Sequence, residues 1–164
     1  WPSTRGKPAI HALKAEGYLR FCVARNPWSR LVSCWKNKST NSNWLNNNAD
    51  TFQPNMEFLP FARTACSIPD VPSDRHLQSQ YSIISDGDLL LVDRILRLES
   101  LEEDWEGLRK EYDLPPLPHY NRSKSEKLCW DLYRKFPEAR SLVEKRYAVD
   151  IEFFGYAFED LRPR

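Results

Sequence analysis

Residues 21–38 read FCVARNPWSRLVSCWKNK, and this stretch decides the fold. The run Tyr18–Ala24 is apolar and rich in aromatic and β-branched residues, which predicts a buried strand. Asn26 suits the N-cap of a following helix and Pro27 its first position, because a proline there gives up no helical hydrogen bond. The sequence therefore predicts a strand, a tight turn and a helix in direct succession.

The predicted helix has one apolar face. Four large residues recur at i, i+3, i+4 and i+7, namely Trp28, Leu31, Val32 and Trp35. Arg25 stands at the end of the strand and Ser33 lies on the helix. An arginine fork donates two charge-assisted hydrogen bonds to phosphate oxygens, a serine hydroxyl adds another, and a helix N-terminus contributes a positive field. The stretch is typical of a phosphate site, although a salt bridge for Arg25 and simple packing for Ser33 explain it equally well.

The middle of the chain alternates between loop, helix and strand signals. The Asn- and Ser-rich stretch 39–50 lacks periodicity and predicts an exposed loop, whereas Phe52–Arg63 predicts a short helix. Leu89–Leu98 predicts one or two strands broken near Asp93. Together with the unit at residues 21–38, this alternation predicts an α/β layered domain around a mainly parallel sheet.

Two later helices have boundary signals of their own. Ser100 and Glu103 form a capping box, and the helix that follows is expected to bury Leu101, Trp105, Leu108 and Tyr112. Pro137–Phe154 predicts one final helical region that Gly155 ends, with Leu142, Val143 and Tyr147 facing inward.

Composition limits the classes of function. With 164 residues, 41% of them hydrophobic and 29% charged, the chain closes one core, so we expect a single domain over residues 1–164. The net charge is only +1, with 24 basic and 23 acidic residues interspersed, which argues against nucleic-acid binding. No apolar run approaches the roughly 20 residues that cross a bilayer. The cysteines lack metal-ligand spacing and are expected to be buried thiols: Cys22, Cys34, Cys66 and Cys129.

The stretch 21–38 resembles the 3'-phosphate signature of the sulfotransferase superfamily, which is an apolar strand followed by Arg-Asn/Asp-Pro, two residues, Arg, two residues and Ser. The similarity is closest to the carbohydrate sulfotransferases and their bacterial relatives, and it extends over residues 18–157. Further matches follow in chain order: His76 with Gln80, Val92–Glu99, the helix of Glu102–Trp105, Leu117–Ser123 and Tyr147–Tyr156.

The resemblance implies a donor and its ligands. The co-substrate would be 3'-phosphoadenosine 5'-phosphosulfate, with no metal required. Arg25 and Ser33 would hold its 3'-phosphate. Arg30 is a third basic match to that site, and a structural role for it is equally open. Secondary donor-binding candidates stand in a loop that often closes over the adenosine end in this fold: Arg122, Ser123 and Lys124.

The resemblance also implies a three-layer P-loop-like domain with a mainly parallel central sheet. Family members begin with a strand and a Pro-Lys-x-Gly-x-Ser/Thr loop, whose amides and lysine cradle the 5'-phosphosulfate. Ser3–Lys7 matches this loop poorly and lacks a preceding apolar strand. We therefore expect the sequence to be truncated at its N-terminus, with that loop upstream of Trp1.

Transfer to a hydroxyl needs a general base, for which histidine is suited because its pKa lies near neutrality. His76 is the first candidate, since it falls in the His-x-x-x-Gln match. His11 is the second, because it precedes the Arg25 strand, where some relatives carry their base, and His119 ranks last. For any one of them, a hydrogen-bonded structural histidine is the favoured alternative.

The implied reaction moves a sulfuryl group from the nucleotide to a hydroxyl of a carbohydrate or other polar acceptor, with specificity in the variable stretches 39–50 and 67–79. The alternative is a catalytically inactive module of the same fold that binds a nucleotide or a sulfated glycan. A P-loop kinase relative is disfavoured, because no Asp-rich magnesium site accompanies the hydroxyl ligand. Compact loops favour a bacterial-type cytoplasmic protein, with the Golgi lumen as the alternative compartment.

Overall fold

The computed structural model describes residues 16–70, 74–117 and 126–163. They form two compact units, one from residues 16–25 and 80–117 and the other from residues 26–70, 74–79 and 126–163. A single domain over residues 1–164 stays a prediction.

Every helix in the described part of the chain is too short or too polar to cross a bilayer. The elements are, in chain order, β1 (Phe21–Ala24), α1 (Pro27–Lys38), α2 (Ser42–Asn46), α3 (Phe58–Ser67), α4 (Gln80–Ile84), β2 (Ser85–Asp86), β3 (Leu89–Leu90), β4 (Arg94–Arg97), α5 (Leu101–Tyr112), α6 (Glu126–Lys135), α7 (Pro137–Arg146) and α8 (Ala148–Phe154), with 3-10 turns at Leu98–Ser100 and Phe158–Leu161.

The first unit contains the strands. β1 and β4 pair in parallel, with Phe21 opposite Arg94 and Ala24 opposite Arg97, and β2 pairs antiparallel with β3. The chain is therefore a mixed α/β protein with a small parallel sheet, as the alternation of signals predicted. The predicted strand over Tyr18–Ala24 begins only at Phe21, and the prediction that it is buried was wrong, because Phe21 and Val23 are 41% and 42% exposed.

A half-buried ion pair explains where both parallel strands begin. The Arg20 guanidinium lies 2.7 Å from Asp93 Oδ1 and donates from Nε to Oδ2 at 3.1 Å, while the Asp93 amide donates to the Arg20 carbonyl at 2.7 Å. Arg20 is only 8% exposed, and the bidentate geometry gives its charge a full partner. The predicted strand break near Asp93 is confirmed, because its side chain turns back to Arg20.

Helix α5 begins where predicted, but two details of the prediction were wrong. Ser100 makes no capping bond, because its hydroxyl donates to Asp104 at 3.2 Å, and the other Asp104 oxygen accepts the Arg97 amide at 2.6 Å. Tyr112 is 40% exposed, whereas Leu108 is buried. Asp104, and not Glu103, therefore links the end of β4 to the start of the helix, and the predicted capping box does not form.

Helix α1, in the second unit, confirms the predicted start. Asn26 caps it, accepting from the Trp28 and Ser29 amides at 3.1 and 3.4 Å, and Pro27 is its first residue. The predicted apolar face is buried at Trp28, Leu31 and Val32 and half-buried at Trp35. A second, long-range bond fixes the cap, since Asn26 Nδ2 donates to the Ala157 carbonyl at 3.2 Å.

The stretch 39–50 is not the plain exposed loop that its composition predicted. Asn41 accepts the Trp44 amide at 2.9 Å and caps the short helix α2. Trp44 and Leu45 are both 7% exposed, and the Trp44 ring packs on Phe52 at 4.9 Å between centroids. Burial of these two side chains outweighs the polar composition around them.

The helix predicted over Phe52–Arg63 begins later. Helix α3 starts at Phe58, because Pro54 interrupts the backbone pattern and Asn55 takes a positive φ of 58°. Phe52 stays in the core at 2% exposure, against Phe61 at 5.1 Å. The apolar spacing thus marked buried positions correctly but not the helix start.

The C-terminal region forms two helices instead of the one predicted over Pro137–Phe154. The break falls at Tyr147, which leaves helical geometry with φ −113° and ψ 29° and donates its hydroxyl to the Leu77 carbonyl at 2.9 Å. Gly155 ends α8 in the left-handed region at φ 64°, as predicted. Helix α6 was not predicted, although its Tyr133 is buried at 1% exposure.

Candidate functional site

Arg25 directly follows β1, and the amide of Gln80 binds its peptide group. The Arg25 N–H donates to Gln80 Oε1 at 2.9 Å, and Gln80 Nε2 donates to the Arg25 carbonyl at 2.8 Å. A side-chain amide here reproduces the paired bonds that a neighbouring strand would make. The backbone of Arg25 is thereby fixed, while its side chain is half-buried.

The first turn of α1 offers no amide to an anion. Pro27 has no N–H, Trp28 and Ser29 donate to the Asn26 side chain, and Arg30 donates to the Asn26 carbonyl at 2.9 Å. An anion near this turn would feel the helix dipole but would receive its hydrogen bonds from side chains. The expected contribution of the helix N-terminus is therefore restricted to its field.

Ser33 lies on α1, in the second unit, whereas Arg25 belongs to the first. Its side chain is half-buried. Within the residues that the structure describes, its hydroxyl makes no hydrogen bond. A helical serine usually bonds the carbonyl one turn earlier, so an uncommitted hydroxyl is suited to an incoming ligand. A joint grip of Arg25 and Ser33 on one phosphate stays a prediction.

Arg30 has protein partners on both terminal nitrogens. Nη1 donates to the Gln78 carbonyl at 2.6 Å and Nη2 to the Arg75 carbonyl at 3.1 Å. Its guanidinium carbon also lies 6.0 Å from the centre of the Tyr147 ring. These contacts give Arg30 a structural task, which was one of the two roles that the sequence left open.

His76 is paired with a carboxylate. Its Nδ1 lies 2.5 Å from Asp74 Oδ1, the same oxygen accepts the His76 amide at 2.8 Å, and the imidazole side chain is 55% exposed. An ionised carboxylate only accepts hydrogen bonds, so Nδ1 carries a proton, and in the neutral form of the ring Nε2 is the basic nitrogen. This arrangement is that of an oriented base, with an accessible Nε2.

The contact with His76 also determines the direction of the pKa of Asp74. Partial burial by itself would raise that pKa, but the hydrogen bonds from the amide and the ring of His76 outweigh the burial and hold the pKa below its ordinary value. The carboxyl is therefore ionised at neutral pH. In the sequence, an Asp two residues before a His does not by itself predict that the two side chains form a hydrogen bond.

Several candidates lie outside the described residues: His11, His119, Arg122, Ser123, Lys124 and the poorly matching stretch Ser3–Lys7. In the ranges 16–70, 74–117 and 126–163, no three His, Cys, Asp or Glu side chains come together as a possible metal site. The site residues with a described environment are thus Arg25, Arg30, Ser33 and His76. Two partners are added: Gln80, which the sequence matched without giving it a role, and Asp74, which the sequence did not identify.

Comparison with known proteins connects these residues. The model of the sulfotransferase family matches residues 2–157, which includes Arg25, Ser33, His76 and Gln80. No curated protein and no solved structure gives a significant match. Because the family match covers far more than half of the chain, and because the strand, turn and helix around Arg25 fold as its signature requires, this chain belongs to the sulfotransferase family.

Proposed function

We propose that the chain transfers a sulfuryl group from 3'-phosphoadenosine 5'-phosphosulfate to a hydroxyl of a carbohydrate or similar polar acceptor. The observation that carries this proposal is the family match over residues 2–157, within which the Arg-Asn-Pro-x-x-Arg-x-x-Ser signature runs from Arg25 to Ser33. We further infer one domain of three layers around a mainly parallel sheet. The cytoplasm stays the favoured compartment and the Golgi lumen the alternative.

Arg25 and Ser33 are proposed to bind the 3'-phosphate of the donor. Two observations support them: Gln80 holds the backbone of Arg25, and the Ser33 hydroxyl makes no hydrogen bond to any residue that the structure describes. An arginine fork matches two phosphate oxygens, and the serine adds a third donor. The adenosine end is assigned to Arg122, Ser123 and Lys124 by resemblance alone.

His76 is proposed as the general base, with His11 as the alternative. The acceptor oxygen attacks sulfur and forms the new S–O bond, while the bond from sulfur to the 5'-phosphate oxygen breaks and its electron pair leaves with 3'-phosphoadenosine 5'-phosphate. The hydroxyl proton passes to His76 Nε2, and Asp74 stabilises the imidazolium through Nδ1. In-line displacement of this kind needs positioning and charge neutralisation at the leaving phosphate.

Calorimetric titration with 3'-phosphoadenosine 5'-phosphate tests the donor site. Arg25→Ala should weaken binding by about 1.5–3 kcal/mol, the loss expected for a charged hydrogen-bonded contact, and Ser33→Ala by about 1 kcal/mol. Arg63→Ala is the matched control, because this arginine pairs only with Glu138 on the surface of α3 and α7 in the described structure. Equal affinities for the native chain and Arg25→Ala would refute the site.

Donor turnover tests the base. Conversion of the donor to 3'-phosphoadenosine 5'-phosphate is followed with a panel of oligosaccharides and small hydroxylated acceptors. His76→Gln should lower the rate by about 10²–10⁴-fold without weakening nucleotide binding, since a positioned base contributes about that factor. Tight nucleotide binding without turnover on any acceptor would favour the inactive binding module instead.

A further inference from the structure

Arg30 spans the turn that carries His76. The turn is residues 74–79, and the guanidinium binds its backbone on both sides of the histidine, at the Arg75 carbonyl and at the Gln78 carbonyl. At 2.6 Å the bond to Gln78 is short for N–H···O, as expected for a charged donor. One side chain from α1 therefore fixes two points of a turn about 45–48 residues away in sequence.

The junction of α7 and α8 holds the carbonyl between those two points. The Tyr147 hydroxyl donates to the Leu77 carbonyl at 2.9 Å, and Arg146 Nη2 approaches the same oxygen at 3.4 Å. Arg146 also pairs with Asp70 at 2.6 Å. Leu77 is buried at 1% exposure while the neighbouring His76 is exposed, so the turn is anchored by its apolar residue and presents its histidine.

The end of the turn is bound by two carboxylates. The Ser79 amide donates to Asp70 at 3.0 Å, and its hydroxyl donates to Asp150 at 2.5 Å. Asp150 has no exposed surface and belongs to the Tyr147–Tyr156 match. Three stretches of the family resemblance, which contain Arg30, His76 and Asp150, thus meet in this one unit.

We propose that Arg30 is a positioning residue, which holds the turn 74–79 and with it the Asp74–His76 pair, and that it does not bind the donor phosphate. The proposal rests on the proposed function only for the role of His76 as base. Each terminal nitrogen of Arg30 already donates one of its two N–H groups to a carbonyl, so the guanidinium cannot reorient towards a phosphate without releasing the turn. The guanidinium bonds two carbonyls through two separate nitrogens, whereas a lysine has only one nitrogen. Lysine is therefore expected to replace Arg30 only in part.

Trypsin provides a local test, because the Arg75–His76 bond lies within the turn and its carbonyl is an Arg30 partner. Native-state cleavage at this bond requires local opening of the turn. Arg30→Ala should raise the cleavage rate about tenfold, Arg30→Lys less, and the control Arg63→Ala not at all. Mass spectrometry of the first peptides released measures the rate at this bond separately from other sites.

The imidazole of His76 provides a spectroscopic test that global stability does not move. Its ring ¹H–¹³C signal is identified by its loss in His76→Gln. At one fixed pH, Arg30→Ala should shift this signal, Arg30→Lys should restore it in part, and Arg63→Ala should leave it in place.

Titration with 3'-phosphoadenosine 5'-phosphate completes the set, and Arg30→Ala should bind within about twofold of the native chain. A loss of tenfold or more would overturn the proposal, as would an unchanged cleavage rate together with an unchanged His76 signal. If the native chain itself binds no nucleotide, the proposed function fails, while cleavage and ring signal still decide whether Arg30 holds the turn. Should Arg30→Ala not fold, Arg30→Lys and Arg30→Gln carry the same three measurements.

Discussion

Gln80 illustrates how a single residue can support this site through the backbone of another residue. The two ends of its side-chain amide bind the backbone N–H and C=O of Arg25, over a separation of 55 residues. The sequence identified Gln80 as a match at the right spacing from His76 but gave it no role, because a side chain that mimics a strand has no local signature. The hydrogen bonds assign that role.

Replacing Gln80 should therefore weaken nucleotide binding through Arg25. We expect Gln80→Ala to lower affinity for 3'-phosphoadenosine 5'-phosphate about tenfold, since two hydrogen bonds that fix Arg25 are lost. Gln80→Glu should be worse, because a carboxylate oxygen then faces the Arg25 carbonyl. Titration calorimetry measures both variants, with the exposed Gln53→Ala as control. Native affinity in Gln80→Glu would contradict the positioning role.

The thiols provide a second residue-level prediction. Burial raises the pKa of Cys22 and of Cys34 to about 11 and that of Cys66 to about 12, from an ordinary value of 9.0. Alkylation proceeds through the thiolate, so at pH 8.5 these cysteines should react with iodoacetamide about 100-fold more slowly in the native chain than in urea. Labelling is followed by mass spectrometry, and equal rates at any of the three would contradict the raised pKa of that thiol.

The raised pKa values of these three thiols also determine how the stability of the fold changes at alkaline pH. Each folded thiol has a raised pKa, so the unfolded chain ionises first, at about pH 9.0. The folded state therefore loses stability as the pH rises from 9 towards 11. Cys34→Ser should reduce this loss of stability between pH 9 and pH 11.

At the scale of elements, the sequence predicted the helix ends that are determined by neighbouring residues. The start of α1 was predicted because Asn26 and Pro27 are sufficient for it, and the end of α8 because Gly155 is. The missed helix α2 depends on Trp44, whose partner Phe52 lies outside the helix. A polar composition hides such a helix until its tertiary contact is known.

Helix ends offer a pair of opposite substitutions. Gly155 and Asp113 both end helices in the left-handed region, at φ 64° and φ 51°. Gly155→Ala should lower the free energy of unfolding by about 1–2 kcal/mol, because a Cβ is disfavoured there. Asp113→Gly should raise it by up to about 1 kcal/mol, by removing both the strain and a negative charge at the negative end of α5. Urea denaturation measures both, and changes of the same sign would contradict this account.

At the scale of the whole molecule, the sequence named candidate site residues but not the groups that these residues contact. The signature predicted Arg25, Ser33 and Arg30 as a group, since residues eight apart or fewer share one strand, turn and helix. What Arg30 binds was beyond local reasoning, because its acceptors are backbone carbonyls about 45–48 residues downstream. Every residue has a backbone carbonyl, so the sequence does not indicate which carbonyls accept the bonds from Arg30.

Charge balance is also a property of the whole chain, and it determines the response to acid. The 24 basic and 23 acidic residues nearly cancel at pH 7, and protonation of the carboxylates leaves a large positive charge that disfavours the compact state. Carboxylates held in pairs protonate last. Hydrogen bonding to Arg109 lowers the pKa of Glu106 to about 2, and hydrogen bonding to Arg63 lowers that of Glu138.

Both pairs therefore stabilise the fold above the ordinary carboxyl pKa of 4.5 and cease to do so as the pH falls towards the folded values, which for Glu106 means about 2. We expect the thermal midpoint to fall steadily below pH 4.5, and Glu106→Gln and Glu138→Gln to flatten part of that fall. Because both pairs lie at the surface, 0.5 M salt should screen them and produce the same flattening in the native chain. Glu152→Gln, at an exposed position of α8, is the control. Calorimetric scans between pH 2 and 6 measure the slope, and an acid response that neither salt nor the two substitutions alter would assign it to carboxylates other than Glu106 and Glu138.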